Sequence, residues 1–485
     1  MPNKAHVGLD DGLKVGTEAI EVLFPRLFID LVDLEKERKF TPGTITSQDG
    51  SVGNIRAAVM DAYQNPVTLG ATLVHRTMEK YKLQPDDIAG LIVGTESSPD
   101  EAVAINCRIV GALEQLYGEG SLRHWGLPEI KATCAGTGFG NYFAQTLFWS
   151  GEIDEYLKIL SLATDDAKYG LISPGESTRG SGTTLEIIGT NPIWAAERRL
   201  TTRTILNEYG FSRPFGELYP KVISKESLVS YNYVQRDGVD GWKEKAIKKG
   251  VIKLSANDNI FNYVQRVIPH PPYFVMPKSL AVFLFRHELR NVPEVWKPIL
   301  QKIGVEKEPA HDGKGSIETI MKDEQLWRED KIFREKIKDT EEFKKFFEGV
   351  FSLSLNITPQ VGNLYNGSLG IGKRSLLETA YKKNIDLTGE RHAFGYFGSG
   401  AIGLAQTAIV MPRWKDVAKD YHTLDELEQV EEGGLRHKIE IKTYERLNSL
   451  KPDFYDNGAW VLDPENEFIV SDVDDNGNLR YKFVG

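Results

Sequence analysis

A cysteine, a glutamate, a histidine and an asparagine in this sequence have the residue types needed for covalent acyl chemistry. Cys134 lies in IKATCAGTGFGN, directly before a glycine-rich stretch that predicts the start of a helix. The unpaired N–H groups and the dipole of a helix N-terminus favour a thiolate, which is the nucleophilic form of cysteine. The small neighbours would let a bulky acyl chain approach. By itself the pattern also fits a buried structural cysteine, which is the usual fate of this residue.

The other three candidates lie far from the cysteine along the chain. Glu96 lies in VGTES, His270 in IPHPPY and Asn363 in VGNLYNGSL. A carboxylate serves as a general base at neutral pH when loss of water raises its pKa. Each residue also has an ordinary alternative role: a surface acid at a strand end, a core or surface histidine, and a polar loop cap.

The stretch GSGAIG, from Gly398 to Gly403, formally satisfies the GxGxxG pattern of dinucleotide-binding proteins. A single match of this kind is weak evidence. It lies late in the chain, and the acids about 20 residues further on, Asp416 and Asp420, are not clearly at a strand end. Small residues here equally leave a backbone N–H free to serve an oxyanion hole.

Strand-like and helix-like patterns alternate along the first half of the chain. The predicted strands are 16–28 (ending near Pro25), 88–94, 157–163 and 183–188, and the predicted helices are 67–81 and 102–116. A second series begins near Pro192 and includes segments 279–285, 368–381 and 393–411. This alternation predicts an α/β protein with a parallel or mixed sheet. The two halves share a rhythm, but no sequence repeat proves a duplication.

Two charged segments and the C-terminal tail each predict a local structure. Residues 242–253 carry several lysines and predict a solvated helix face, while 306–348 carry charge of both signs. Phe343, Phe346, Phe347 and Val350 fall on one helical face, so this segment is predicted to be an amphipathic helical insertion. The tail sequence DDNGN resembles the start of a calcium loop, but Phe483 stands where a glutamate is needed, and an Asn-Gly hairpin is the better interpretation.

Composition excludes several classes of protein. The net charge of −10 gives no reason to expect a nucleic-acid partner, and no apolar run approaches the length of about 20 residues that spans a bilayer. The first residues, MPNKAHVGLDDG, contain no apolar core typical of a signal peptide. Two cysteines, Cys107 and Cys134, are too few for a disulfide framework or a cysteine-rich zinc site. They suit a reducing compartment, so a cytoplasmic protein is predicted.

Taken in order along the chain, these motifs resemble 3-hydroxy-3-methylglutaryl-CoA (HMG-CoA) synthases, a branch of the thiolase superfamily. The resemblance runs from about Glu18 to Leu447 and is densest over residues 163–182, ATDDAKYGLISPGESTRGSG. Further matching stretches are VGTES, SRPFG, HPPY, GNLYNGS, YFGSG and KTYER. Several motifs in the same order are far more specific than any one of them.

The resemblance implies a five-layer αβαβα sandwich made of two similar halves. The predicted units are residues 1–190, residues 191–450 with an insertion at 295–350, and a short β-rich tail at 451–485. The implied substrates are acetyl-CoA and acetoacetyl-CoA, with no metal or prosthetic group. A homodimer is implied as well, and a thiolase partner is left open.

The resemblance also implies a role for each motif residue. Cys134 takes the acetyl group, and Glu96 is the general acid/base that removes a methyl proton from it. His270 polarises the ketone of acetoacetyl-CoA and Asn363 helps to position it. The backbone N–H groups of Cys134 and Ser399 hold the thioester oxygen. Further substrate-positioning residues are Gly398, Tyr365 and Ser368, and the implied CoA-binding residues are Lys278 and Arg213.

Two departures from the family pattern leave alternatives open. Ala135 replaces the tyrosine that usually follows the nucleophile, and Val275 replaces a CoA-contacting lysine five residues after the histidine. The alternatives are a ketoacyl-synthase-III-like enzyme, a polyketide β-branching synthase that uses a carrier protein, and a non-catalytic acyl-CoA-binding scaffold. Glu96 favours the synthase, because decarboxylating condensing enzymes need no such base.

Overall fold

The structure of the protein, a computed structural model, describes residues 12–255, 257–309, 323–430, 435–450 and 459–485. The strands are β1 Gly16–Leu23, β2 Leu27–Asp30, β3 Arg56–Val59, β4 Ile88–Gly94, β5 Gly126–Ile130, β6 Lys158–Ala167, β7 Gly180–Gly189, β8 Trp194–Ala196, β9 Thr202–Ile205, β10 Phe211–Ser212, β11 Lys221–Val222, β12 Arg266–Pro269, β13 Arg391–Gly398, β14 Ile402–Val410, β15 His437–Lys438, β16 Glu467–Val473 and β17 Leu479–Val484. The helices are α1 Leu31–Glu37, α2 Pro66–Tyr81, α3 Ile105–Tyr117, α4 Gly136–Ser150, α5 Ser224–Lys248, α6 Val275–Leu289, α7 Pro293–Lys302, α8 Glu324–Lys338, α9 Glu341–Val350, α10 Thr358–Val361, α11 Ser368–Lys382, α12 Trp414–Ala418, α13 Thr423–Glu428 and α14 Ile441–Ser449.

The two halves of the chain build the same strand arrangement. The first half-sheet has the order β5-β4-β6-β7-β1, and the second has the order β12-β13-β14-β8. In the first, β4 and β6 are parallel and β7 is antiparallel to both neighbours. In the second, β12 and β13 are parallel and β14 is antiparallel to both neighbours. The structure thus confirms the two similar halves that the sequence alone could not prove.

The half-sheets are joined at one edge and separated elsewhere by two helices. Strands β1 and β8 pair antiparallel at the junction. Helix α11 packs against β1 and β7 of the first half and against β12 and β13 of the second, and α4 likewise contacts both halves. Helices α2 and α3 cover the outer face of the first half, while α5 and α6 cover that of the second. The predicted five-layer αβαβα sandwich is therefore confirmed.

A buried ion pair lies in the central helical layer. The ammonium group of Lys373, on α11, lies 2.9 and 2.8 Å from the two carboxylate oxygens of Glu186, on β7. The same carboxylate accepts hydrogen bonds from Asn141 on α4 at 2.9 Å and from Thr17 on β1 at 2.6 Å. Four elements of the central region are thus held by one charged group, whose desolvation is compensated by a full set of partners.

The structure rules out a dinucleotide-binding role for the GSGAIG stretch. Its residues form the turn between β13 and β14, which pair antiparallel with Gly398 opposite Ile402. The glycine pattern therefore leads into a strand, whereas a pyrophosphate site needs the N-terminus of a helix.

The insertion is helical where the structure describes it. Helices α8 and α9 lie in it, and Phe343 and Phe346 of α9 pack against Phe285 of α6. This agrees with the predicted amphipathic helix, while residues 310–322 lie outside the described ranges. The predicted solvated face at 242–253 is wrong in part, because Trp242 is buried and the helix ends at Lys248.

The C-terminal tail is an outer covering of the first half. Strands β16 and β17 form an antiparallel hairpin whose turn contains Gly477 at a φ of 81°, which confirms the predicted Asn-Gly turn. The N–H of Val470 donates to the carbonyl oxygen of Tyr63, and that of Phe468 to the hydroxyl of Thr72. Residues 1–11 and 451–458 lie outside the described ranges. Within those ranges, no helix is long and apolar enough to cross a bilayer.

Candidate active site

Cys134 and Glu96 are in direct contact, although they lie 38 residues apart in the sequence. Cys134 lies between β5 and the first turn of α4, and Glu96 lies just beyond β4. Since β4 and β5 are parallel neighbours, the segments that follow them meet at the same edge of the sheet. The thiol of Cys134 donates a hydrogen bond to the carboxylate of Glu96 at 2.8 Å.

The pKa values of both groups are raised. Burial and, to a smaller extent, the charge of Asp165 raise the pKa of Glu96 to about 8. Burial and, to a smaller extent, the neighbouring Glu96 carboxylate raise the pKa of the Cys134 thiol well above its ordinary value. The predicted stabilisation of a thiolate by the helix N-terminus is therefore wrong for the free protein. A helix dipole contributes about 0.3–1 kcal/mol, whereas a carboxylate in contact disfavours a second negative charge in a water-poor site.

Asp165 holds the loop that carries Glu96. One of its oxygens accepts hydrogen bonds from the N–H of Glu96 at 2.9 Å and from the hydroxyls of Thr95 and Ser97 at 2.8 and 2.7 Å. The other oxygen accepts from the backbone and side-chain N–H groups of Asn366 at 3.1 and 3.2 Å. Burial raises the pKa of Asp165 to about 6, while these donors stabilise its charged form. Its contacts thus hold Glu96 in position, and its charge adds to the effect of burial on the pKa of Glu96.

His270 follows β12 and presents a neutral ring. The backbone N–H of His270 donates to the carbonyl oxygen of Gly395 at 2.8 Å, and its backbone carbonyl oxygen accepts from the hydroxyl of Tyr231 at 2.9 Å. Burial lowers the pKa of His270 to about 3. At neutral pH the ring therefore carries one N–H, which is able to polarise a carbonyl without bringing a charge into the cavity.

Asn363 has a fixed side-chain orientation. Its amide oxygen accepts from the N–H of Tyr365 and from the hydroxyl of Ser368, both at 2.9 Å. Its amide nitrogen is directed to the hydroxyl of Tyr169 at 3.4 Å. Because the oxygen is occupied, this side chain is left as a hydrogen-bond donor.

The turn that contains Ser399 lies against the nucleophile loop. The hydroxyl of Thr133 donates to the carbonyl oxygen of Ser399 at 3.0 Å. A Cβ atom at Gly398 would lie 2.0 Å from that hydroxyl, so only glycine fits this position. From the other side, the carboxylate of Glu208 accepts from the N–H of Gly400 at 2.6 Å. The turn is therefore held from both sides next to the cysteine.

Two neighbouring cavities meet at the reacting groups. Five predicted site residues line the first cavity: Cys134, His270, Asn363, Tyr365 and Ser399. Glu96 lines the second cavity. Phe211 and Tyr365 line both and form the wall between them.

Comparisons with known proteins find similar chains of one enzyme family. A family model described as the N-terminal part of hydroxymethylglutaryl-coenzyme A synthase matches residues 12–192. The hydroxymethylglutaryl-CoA synthase of Haloferax volcanii is 26% identical over 481 residues, which cover 97% of this chain and 99% of that protein. The enzyme of the same name from Enterococcus faecalis is 26% identical and covers 80% of this chain and 81% of its own length. The chain is thus similar to hydroxymethylglutaryl-CoA synthases over nearly its whole length.

Solved structures share the fold over nearly the whole chain. The structure of MvaS in complex with 3-hydroxy-3-methylglutaryl coenzyme A has a TM-score of 0.76 and 22% identity, covering 98% of this chain and all of that one. The HMG synthase of the curacin biosynthetic pathway, in complex with a holo donor-ACP, has a TM-score of 0.72 and 17% identity, covering 97% of this chain. At these identities the likeness shows that the thiolase-like fold is common to all three.

The two predicted CoA-binding residues lie apart. Lys278 forms an ion pair with Asp49 at 2.7 Å, and its sequence neighbour Met276 lines the Cys134 cavity. Arg213 is exposed and instead lines the cavity of Glu96. The binding of CoA by either residue stays a prediction.

Sequence reasoning did not single out three residues that shape the site. Tyr169 lines the Cys134 cavity, and Asp165 holds the Glu96 loop; both lie in the motif at 163–182, which was the available signal. Glu208 holds the Ser399 turn, but it is a lone acid with no motif around it. No pattern in the sequence points to that contact.

The small residues after Cys134 serve packing and do not give space to an acyl chain as predicted. Ala135 is completely buried. A Cβ atom at Gly136 would lie 2.7 Å from the amide oxygen of Asn366, and one at Gly138 would lie 2.4 Å from the ring of Tyr396. Glycines thus let α4 approach its neighbours closely, which brings the nucleophile into the cavity.

The raised thiol pKa predicts an unusual response to iodoacetamide. Glu96→Gln should increase the alkylation rate of Cys134 at about pH 9, where most of Glu96 is ionised, because it removes the charge that adds to burial in raising the thiol pKa. A fall of one unit in the pKa corresponds to about a tenfold rise in the thiolate fraction. The rate is measured by mass spectrometry of the Cys134 peptide, with exposed Cys107 as the internal reference. An unchanged or slower rate at Cys134 would show that the Glu96 charge does not disfavour the thiolate.

Proposed function

We propose that the chain condenses acetyl-CoA with acetoacetyl-CoA through an acetyl-Cys134 intermediate, giving HMG-CoA and CoA. The contact of 2.8 Å between the Cys134 thiol and the Glu96 carboxylate carries this proposal. It joins a nucleophile and a base, beside a neutral histidine, in a protein similar to HMG-CoA synthases.

The first step transfers the acetyl group. The sulfur of Cys134 attacks the carbonyl carbon of acetyl-CoA while its proton passes to the ionised form of Glu96. The bond between the acetyl carbon and the CoA sulfur then breaks, and the leaving thiolate takes the proton back from Glu96. Because the pKa of Glu96 is about 8, the fraction of its ionised form rises as the pH passes that value.

The second step forms the carbon–carbon bond. Glu96 removes a proton from the methyl group of acetyl-Cys134, and the backbone N–H groups of Cys134 and Ser399 stabilise the resulting enolate oxygen. The carbanion attacks the ketone carbon of acetoacetyl-CoA, whose oxygen accepts a hydrogen bond from His270. The alkoxide that forms takes the proton that Glu96 removed from the methyl group, so that the tertiary hydroxyl is made and Glu96 is ionised again. Asn363, held by Ser368, orients the acceptor as a second donor. Hydrolysis of the thioester then releases HMG-CoA and restores the thiol.

An acceptor bound to a carrier protein is the second candidate. Val275 replaces a lysine with which the family contacts CoA, and this departure is the observation in its favour. A chain that uses acetoacetyl-CoA should turn over with free CoA thioesters alone. If turnover requires a carrier protein loaded with acetoacetate, the second candidate is correct.

The proposal also covers the oligomeric state and the cellular location of the protein. We infer a homodimer, since β5 is a strand at the edge of the sheet and Phe143, on the neighbouring helix α4, is partly exposed. Light scattering of the purified protein tests this, because a mass of one chain would contradict it. The two free cysteines support the proposed cytoplasmic location. The proposed chemistry uses no metal or prosthetic group, and the thiolase partner stays an untested prediction.

The central experiment follows the acetyl group. The protein is mixed with labelled acetyl-CoA, the modified peptide is identified by mass, and acetoacetyl-CoA is then added. We expect the label on Cys134 and its release as HMG-CoA. Cys134→Ala should take up no label, while the matched variant Cys107→Ala should behave as the unmodified protein. A label on another residue, or no HMG-CoA, would contradict the proposal.

A further inference from the structure

We propose that the cavity lined by Glu96, called here the Glu96 chamber, delivers the water that hydrolyses the Cys134 thioester. This inference rests on the proposed function and adds a route for one of its reactants. The chamber is bounded by the segments 60–66, 96–99, 166–168, 211–220 and 447–450 and by Val470.

The geometry of the chamber leads from the surface to the base. Its outer end is formed by Arg213 and Leu218, both of which are exposed. Its inner end is formed by Glu96, which is partly exposed to this space and contacts the Cys134 sulfur at 2.8 Å. Phe211 and Tyr365 close the wall toward the Cys134 cavity. The base therefore borders the chamber, and the nucleophile borders the other cavity.

The walls of the chamber offer groups that bind water. Polar side chains on them are Gln64, Asn65, Ser97, Ser98, Lys168 and Arg213, of which Gln64, Asn65, Ser97 and Lys168 also bond to protein groups. Polar groups and open space are the two conditions under which water occupies a cavity. The carboxylates of Asp61 and Asp166 are already held by protein donors, the first by the N–H groups of Leu462 and Val461 and the second by the hydroxyl of Ser181.

The chemistry of the intermediate requires such a second route. After condensation, the product is bound at one end to the Cys134 sulfur and at the other end to CoA. The CoA arm therefore still fills the Cys134 cavity when hydrolysis begins. Water that attacks the Cys134 thioester has to arrive from another side, and the Glu96 chamber reaches the same atoms from there.

The hydrolytic step balances with Glu96 as the only acid and base. A water molecule on the chamber side gives one proton to the Glu96 carboxylate, and its oxygen forms a bond to the thioester carbon. The bond between that carbon and the Cys134 sulfur breaks, and the sulfur takes the proton from Glu96. The products are a free thiol and the new carboxylic acid of HMG-CoA, which loses its remaining proton to solvent. Glu96, ionised again, then repels the carboxylate.

Filling the chamber tests this route. Ser98→Phe places a large apolar group on its wall, and Leu218→Trp does the same at its outer end. Both variants should lower kcat about tenfold, which corresponds to a barrier higher by about 1.4 kcal/mol. Because only hydrolysis slows, HMG bound to Cys134 should accumulate during turnover, while the acetylation rate stays within a factor of about two. Rapid quenching followed by mass spectrometry of the Cys134 peptide measures both quantities.

A matched variant separates filling of the chamber from a general effect of added bulk. Leu116→Trp places the same group at an exposed leucine outside the chamber and should turn over as the unmodified protein does. If Ser98→Phe and Leu218→Trp slow acetylation as much as release, the chamber admits CoA and the inference is wrong. Unchanged release in both filled variants overturns it as well. If the unmodified protein never acquires an acetyl group on Cys134, the proposed function and this inference both fail.

Discussion

Glu96→Gln is expected to abolish condensation while acetylation of Cys134 remains measurable. The amide keeps the size of the side chain but does not remove a methyl proton, and loss of a general base lowers a rate by about 100- to 10,000-fold. Acetylation persists because removal of the Glu96 charge lowers the thiol pKa, so that Cys134 supplies more of its own thiolate. The two rates are measured separately, by label on Cys134 and by formation of HMG-CoA.

Two further variants serve as controls for Glu96→Gln. Glu101→Gln changes an exposed acid five residues away and should leave both rates unchanged. Glu96→Asp keeps the charge on a shorter side chain and should restore part of the condensation rate. The assignment of Glu96 as the base is wrong if Glu96→Gln condenses within about tenfold of the unmodified protein, since a general base contributes more than that.

Lys373→Met is expected to give the largest loss of stability among single substitutions in the central layer. It leaves the Glu186 carboxylate buried without its cation, and breaking a buried ion pair in this way costs about 3–5 kcal/mol. The ammonium group also lies 4.3 Å from the centre of the Phe394 ring, a favourable contact that the substitution removes. Urea denaturation, followed by circular dichroism, measures the shift of the midpoint.

A double variant and a surface control complete this experiment. Lys373→Met combined with Glu186→Gln removes both charges and should be more stable than Lys373→Met alone. Lys415→Met, on helix α12, breaks an ion pair with Asp386 in which both side chains are exposed, and should cost about 1 kcal/mol or less. Equal losses for Lys373→Met and Lys415→Met would show that the buried pair does not hold the central layer.

Much of the fold follows from local patterns in the sequence. The continuous apolar run at 88–94 became β4, because a strand covered by helices on both faces is apolar throughout. The helix predicted at 67–81 is present as α2, with Pro66 in its first turn and Asn65 as its N-cap. Motif order also led to the family resemblance, and with it to the layer arrangement.

Other features depended on the tertiary structure because they arise between distant residues. The duplication of the halves appears in strand order and direction, whereas the side chains of the two halves have diverged. The sequence GSGAIG fits the start of a helix as well as it fits a turn. The antiparallel pairing of β13 with β14 shows that it is a turn. Glu208 acquires its contact with Gly400 only when β9 pairs with β14.

The sequence by itself determined which groups are available for acyl chemistry: Cys134, Glu96, His270 and Asn363. Only the tertiary structure decided their protonation behaviour, since a pKa depends on burial and on charges brought near by folding. Helix position alone predicted a thiolate at Cys134, but the carboxylate at 2.8 Å reverses that prediction. The separation of the Glu96 chamber from the Cys134 cavity is likewise a property of packing, because Phe211 and Tyr365 are 154 residues apart and meet only in the folded chain.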